Sequence, residues 1–124
     1  MKPEQYNELF WEYLDKLIDS SEIVVDRPKG SEHPAYSEMI YPLDYGYLAG
    51  TTSSDGGPID VFIGAAGSTT AGDYRVEAVL CTVDLVKRDS EIKILLGCSD
   101  EEMATIANFV SQNSMGCLIL RREL

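Results

Sequence analysis

Cysteines, basic residues and long apolar runs are all scarce in this 124-residue chain, and each scarcity closes off a class of function. Cysteine occurs three times, at Cys81, Cys98 and Cys117, in or beside apolar runs and never with C-x-x-C spacing. An odd count in that setting points to reduced, buried thiols in a reducing compartment, not to a disulfide framework. The lone histidine, His33, is remote from all three, so nothing marks a Cys–His nucleophile. Ten basic residues face 21 acidic ones, and the formal net charge of −11 would repel a nucleic-acid backbone. No apolar run approaches the ~20 residues of a membrane span. The start, MKPEQYNELFWEYLDKL, has neither the basic opening nor the apolar core of a signal peptide. The expectation is one cytoplasmic domain over residues 1–124, without a nucleic-acid or membrane partner. A small phosphorylated ligand stays open to it, provided metal ions or a few Arg and Lys neutralise that ligand locally.

Apolar periodicity predicts a helix over 4–19, with Tyr6, Leu9, Phe10, Tyr13, Leu14, Leu17 and Ile18 on one stripe and Pro3 suited to its first turn. Short strands are predicted at 23–26, within an extended 39–48, and at 59–63. The longest strand signal runs from Tyr74 to Val86, apolar on both sides and so expected to be covered on both faces. A polar turn at 87–90 returns it as a hairpin over 92–96. Ser99 and Glu102 form a capping box for a helix reaching about Asn113, and a last strand covers 115–120. Strands dominate the middle without alternating with helices. That favours a mainly β (α+β) fold: a small five- to six-stranded barrel with one N-terminal helix and one helix near the C-terminus.

The chemistry concentrates between Val24 and Gly64. Asp55 sits on a Gly56-Gly57 turn and Asp60 at the start of the next strand, a pair that can serve a hard divalent cation. Asp55 alone also reads as an ordinary Asp-Gly turn. Asp60 interrupts the apolar run Ile59-Val61-Phe62-Ile63, where a charge needs a partner. Arg27 can fork onto phosphate oxygens or pair with Asp26 or Glu22 at the surface. Asp84, Asp89 and Glu91 are further carboxylates that could converge on the same place.

The segment VVDRPKGS, followed by YPLDYGYLAGTTSSDGGPIDVFIG, resembles the soluble, magnesium-dependent inorganic pyrophosphatases, with their Val-Asp-Arg strand, Y-P-x-N-Y-G-Y element and D-G-D-P-x-D signature. The match is gapless from Tyr41 to Asp60. The resemblance implies an oligonucleotide-binding-type (OB) barrel and a homo-oligomer. It also implies magnesium, or manganese, held by Asp55, Asp60, Asp84 and either Asp89 or Glu91. Arg27, Tyr41, Tyr45 and Lys93 would contact substrate, with Tyr45 and Lys93 also in catalytic positions. The chain departs from the pattern in four places. Gly57 stands where the family has a carboxylate that orients or deprotonates the attacking water. The family's asparagine between the tyrosines is Asp44, which is expected to take over as base. An upstream strand with Lys and Glu is replaced by the 4–19 helix, and the C-terminal Tyr-Lys contact is absent, with Arg121 or Arg122 as substitutes. Two functions follow: metal-dependent hydrolysis of pyrophosphate or a related small diphosphate, or a catalytically impaired domain that binds metal and a phosphorylated ligand without turnover.

Overall fold

The computed structural model describes residues 1–67 and 75–122. It contains helix α1 (Pro3–Asp19), strands β1 (Ile23–Arg27), β2 (Asp44–Leu48), β3 (Ile59–Ile63), β4 (Ala78–Asp84) and β5 (Asp89–Leu96), helix α2 (Asp100–Val110) and strand β6 (Met115–Arg121). The strands form one mixed sheet in the order β1-β2-β3-β5-β4-β6. All pairings are antiparallel except β3 with β5, where Val61 faces Ile94 and Ile63 faces Leu96.

Each helix covers one face. α1 buries Trp11 and Ile18 against Leu48, Val61, Val79, Ile94 and Leu96. α2 buries Met103, Ile106 and Val110 against Tyr45, Phe62, Leu80 and Leu95. The period of two along each strand therefore sorts residues between the helices. Tyr45, Asp60, Phe62, Asp84, Glu91 and Lys93 share the α2 face, while Asp44 falls on the α1 face with Gly46 and Leu48. Gly46 is required for close approach, because a Cβ there would overlap the Val24 carbonyl oxygen across the β1–β2 ladder.

Several boundaries depart from the sequence expectation for physical reasons. The extended run 39–48 is a strand only from Asp44. Residues upstream close on themselves, with the His33 N–H donating to the Met39 carbonyl and the Tyr41 N–H to that of Ser31. α2 stops at Val110, since Asn113 and Ser114 take positive φ values of 55° and 68°. The 74–86 signal yields β4 from Ala78, and Tyr74, the first residue of that signal, lies outside the described residues. Coverage of β4 on both faces holds through Leu80 but fails at Val83, which is 54% exposed where α1 no longer reaches. The mainly β class with a helix near each end holds. Among the described residues no ladder joins the edge strands β1 and β6.

Candidate active site

A cavity of about 730 Å³ opens on the α2 face of the sheet. Its polar end is built where β2, β3 and β5 lie side by side. Lys93 is 9% exposed, and its ammonium donates to the Tyr45 hydroxyl and to Asp60 Oδ2, both at 2.8 Å. The Tyr45 hydroxyl in turn donates to the same Asp60 oxygen at 2.7 Å, and Glu91 Oε2 stands 3.5 Å from the ammonium. Burial alone would lower the Lys93 pKa, but Tyr45 and Asp60 outweigh it and raise it, so the site keeps a fixed cation. Burial, with Asp60 adding to it, raises the Tyr45 pKa and keeps its phenol neutral.

The Asp55 turn is held over this end. Ser54 Oγ donates to the Ser90 carbonyl at 2.5 Å, anchoring the turn to β5 one residue from Glu91. Gly56 takes φ 86°, and the Gly57 N–H donates to Asp55 Oδ1 at 2.9 Å. Asp55 and Glu91 both line the cavity at this end. The neighbouring Glu91 carboxyl, ahead of the Gly57 N–H, lowers the Asp55 pKa, while burial, with Asp55 adding to it, raises that of Glu91.

On the other wall Arg27 Nη1 donates to the Tyr41 hydroxyl, with its guanidinium over the rings of Tyr41 and Tyr45. Arg27, Tyr41, Tyr45, Asp55, Asp60, Asp84, Glu91 and Lys93 all line the one cavity. Two candidates are not brought there. Asp44 accepts from the Lys29 N–H at 2.9 Å and does not line the cavity, and Asp89 lines a separate shallow depression beside Arg88. Arg121 and Arg122 pair instead with Asp100 and Asp15. Sequence reasoning did not single out His33, Tyr36 or Phe109, which complete the wall beyond Tyr41, because residues on a loop and a helix carry no motif for it. His33 sits below the ordinary imidazole range through burial and the nearby Arg27.

Among the described residues no group of three or more Asp, Glu, His or Cys side chains is gathered as a metal cluster. Asp60 is engaged with Lys93, and Asp84 Oδ1 accepts from the Val86 and Lys87 N–H groups. What remains is the pair Asp55 and Glu91, two carboxyls that line the same cavity. Magnesium commonly takes only one or two carboxylates and completes its shell with water and phosphate oxygens. The oxygen-only donor set fits it. Thr82, directly opposite Glu91 in the β4–β5 ladder, adds a buried hydroxyl with no protein partner.

Residues 14–114 match the inorganic pyrophosphatase family, and this chain belongs to that family. The inorganic pyrophosphatase of Geobacillus stearothermophilus is 38% identical over 60 residues, 46% of this chain and 36% of the relative. That of Picrophilus torridus is 30% identical over 106 residues, 73% of this chain and 60% of the relative. The chain thus spans between about a third and three fifths of the length of these curated relatives. Its fold is similar to the solved inorganic pyrophosphatases of Neisseria gonorrhoeae and Thermus thermophilus. Both have a TM-score of 0.58, at 17% and 18% identity, covering 76% and 81% of this chain and 77% and 81% of the other. Among the described residues no helix is long and apolar enough to cross a membrane.

Proposed function

We propose that this chain hydrolyses inorganic pyrophosphate or a related small diphosphate to phosphate, with magnesium as cofactor. The observation that carries the reading is the buried Tyr45–Asp60–Lys93 cluster in the cavity that Asp55 and Glu91 also line, because it sets a fixed cation among carboxylates that could serve a hard cation. Asp55 and Glu91 would hold the metal, with Asp60 and Asp84 as the further carboxylates of the same cavity. Bound there, magnesium neutralises diphosphate charge and lowers the pKa of an attacking water. Arg27 and Lys93 grip phosphate oxygens, Lys93 as a point charge and Arg27 through its planar fork. Tyr41 and Tyr45 orient those two cations by the hydroxyl contacts already described, so little reorganisation is needed when substrate arrives.

The OB-type barrel is the finer reading of the sheet; it is supported by a core in which Tyr45 of β2 and Leu80 of β4 share one cluster. Assembly with further copies is supported by the outer edge of β6 and its exposed Leu118 and Leu120. A cytoplasmic setting suits the three free thiols. One observation favours the binding-only alternative: Gly57 supplies no carboxylate, and Asp44, engaged with the Lys29 backbone, does not line the cavity.

The test is phosphate release from pyrophosphate with and without magnesium, using Asp60→Asn as the control and circular dichroism to check its fold. Magnesium-dependent release that falls at least a hundredfold in the control is the expected result. No release from pyrophosphate or any nucleoside diphosphate would sink the hydrolase reading, and tight binding of magnesium pyrophosphate without release would install the alternative.

A further inference from the structure

The cavity has two unlike ends. The polar end just described carries the Arg27 and Lys93 cations. Beyond Tyr41 the wall changes character, to Tyr36, Met39 and Phe109. A bare diphosphate, whose surface is all acceptor oxygen, gains nothing from such a wall. Cavities of roughly 300–1,000 Å³ lined by apolar and aromatic groups with a few polar anchors are those that hold organic ligands, and this one measures about 730 Å³.

Tyr41 is the joint between the two ends. Its hydroxyl takes the Arg27 hydrogen bond on the polar side. Its ring lies parallel to that of His33, with an interplanar angle of 4° and centroids 5.9 Å apart, and 4.9 Å from that of Phe109. Tyr36 flanks His33 at 5.3 Å. The aromatic surfaces of His33, Tyr36 and Phe109 therefore adjoin the Arg27–Tyr41 contact, and Lys87 lines the same cavity. At the far rim Gln112 and Asn113 add amide groups, the Asn113 amide reaching the Met39 sulfur at 3.2 Å.

We infer that the site takes a diphosphate monoester, its diphosphate held by Arg27 and Lys93 and its apolar organic group lodged against Tyr36, Met39 and Phe109. This rests on the phosphohydrolase reading for the polar end and specifies the substrate class. The reaction consumes one water. The water oxygen bonds to the terminal phosphorus, and the bridging P–O bond breaks with its electron pair on the bridging oxygen. An organic monophosphate and inorganic phosphate leave, the latter carrying the added oxygen, and the water's proton is released.

The experiment compares inorganic pyrophosphate, a nucleoside 5′-diphosphate and an isoprenyl diphosphate by kcat/KM. The affinity of methylene-bridged, non-hydrolysable analogues is measured in parallel by calorimetry with magnesium present. Two variants accompany the native chain: Tyr36→Ala, whose ring is 40% exposed, and Phe109→Leu, which keeps apolar volume in the partly buried position. At least one organic diphosphate binds more tightly than pyrophosphate, and the variants cut its advantage about tenfold, the loss expected of one aromatic contact. Whether the nucleoside or the isoprenyl compound gains identifies the organic group. The inference is overturned if pyrophosphate binds as well as both organic diphosphates, or if the variants weaken all three alike. Variant-sensitive binding without turnover of any compound would leave the organic subsite standing and remove the hydrolase reading. Turnover of pyrophosphate alone would do the reverse.

Discussion

The most informative perturbation is Gly57→Asp, which returns a carboxylate to the position where the pyrophosphatase family carries one. The backbone permits it, because the positive φ of the turn belongs to Gly56 and not to Gly57. Space permits it once Asp55 gives a little: an added Cβ meets Asp55 Oδ1 at 3.3 Å, the end of an exposed side chain that must shift slightly. The cost is repulsion between two neighbouring carboxylates, about 1 kcal/mol in water and about 4 kcal/mol at an effective dielectric of ~20 for charges ~4 Å apart. Asp55 is exposed, so the lower figure applies. Against it stands the gain from a positioned general base, ~10²–10⁴ in rate or about 3–5 kcal/mol of barrier. Gain exceeds cost. The assay is steady-state phosphate release from pyrophosphate at saturating magnesium, with urea unfolding of both proteins alongside. The expected outcome is a kcat at least about a hundredfold higher and a stability lower by about 1 kcal/mol. An unchanged kcat in a variant that folds and binds magnesium pyrophosphate would refute the reasoning, because the missing carboxylate would then not be what limits turnover.

Asp60→Asn strands the Lys93 ammonium in a buried position and should cost about 1–3 kcal/mol in urea unfolding. Adding Lys93→Met should recover part of that loss, since removing both charges is milder than removing one; a further loss would show that the pair is not coupled. Ser99→Ala removes the side-chain acceptor for the Glu102 N–H and should destabilise the protein by about 1 kcal/mol. The Glu102 pKa is lowered, chiefly by the Ser99 N–H, so its contribution is present above the unfolded carboxylate range and lost as pH falls through the folded value. The stability difference between the native chain and Glu102→Gln should accordingly vanish in acid. His33 is the single imidazole and should titrate below 6.5 by NMR. Its neutral form is the one the fold favours, so its contribution is complete above 6.5 and fades as pH falls through the lower folded value. A midpoint at or above 6.5 would mean that the ring is not buried beside Arg27.

What the sequence made legible is what depends on neighbours in the chain. The capping box at Ser99 and Glu102, the existence of α1 and the tight turn at Gly56 each rest on contacts within a few residues, and each is found. The face that α1 buries was not legible: Trp11, outside the expected stripe, is buried with Ile18, while Tyr6, Phe10 and Tyr13 of that stripe are exposed. What depends on strand pairing was only partly legible. The choice between Asp89 and Glu91 could not be made from spacing, because both share parity with Lys93 on β5. The structure separates them by the space they line: Glu91 lines the cavity that Asp55 and Lys93 also line, while Asp89 lines the shallow depression beside Arg88. Asp44 failed to reach the cavity for the complementary reason. It is next to Tyr45 in sequence, and adjacent residues of a strand point to opposite faces.

The parallel step from β3 to β5 is what would let an acidic chain offer a phosphate a buried cation. With a net charge of −11, the average field opposes any phosphorylated ligand. Placing β5 directly against β3, and passing over β4, brings Lys93 against Asp60 and Tyr45, which lie 33 and 48 residues away in sequence. The carboxylate that draws the cation in also keeps it charged, and the phenol takes a second of its three N–H groups, so Lys93 stays an ammonium under cover. Arg27 reaches the same cavity from the opposite wall through the β-bulge between Val25 and Arg27. Two cations fixed by aromatic hydroxyls, in one cavity with the carboxyls of Asp55 and Glu91, give a local field unlike the average one. The pairing order of the sheet builds that field; had β3 paired with β4 instead, Asp60 and Lys93 would lie a strand apart and neither would be neutralised.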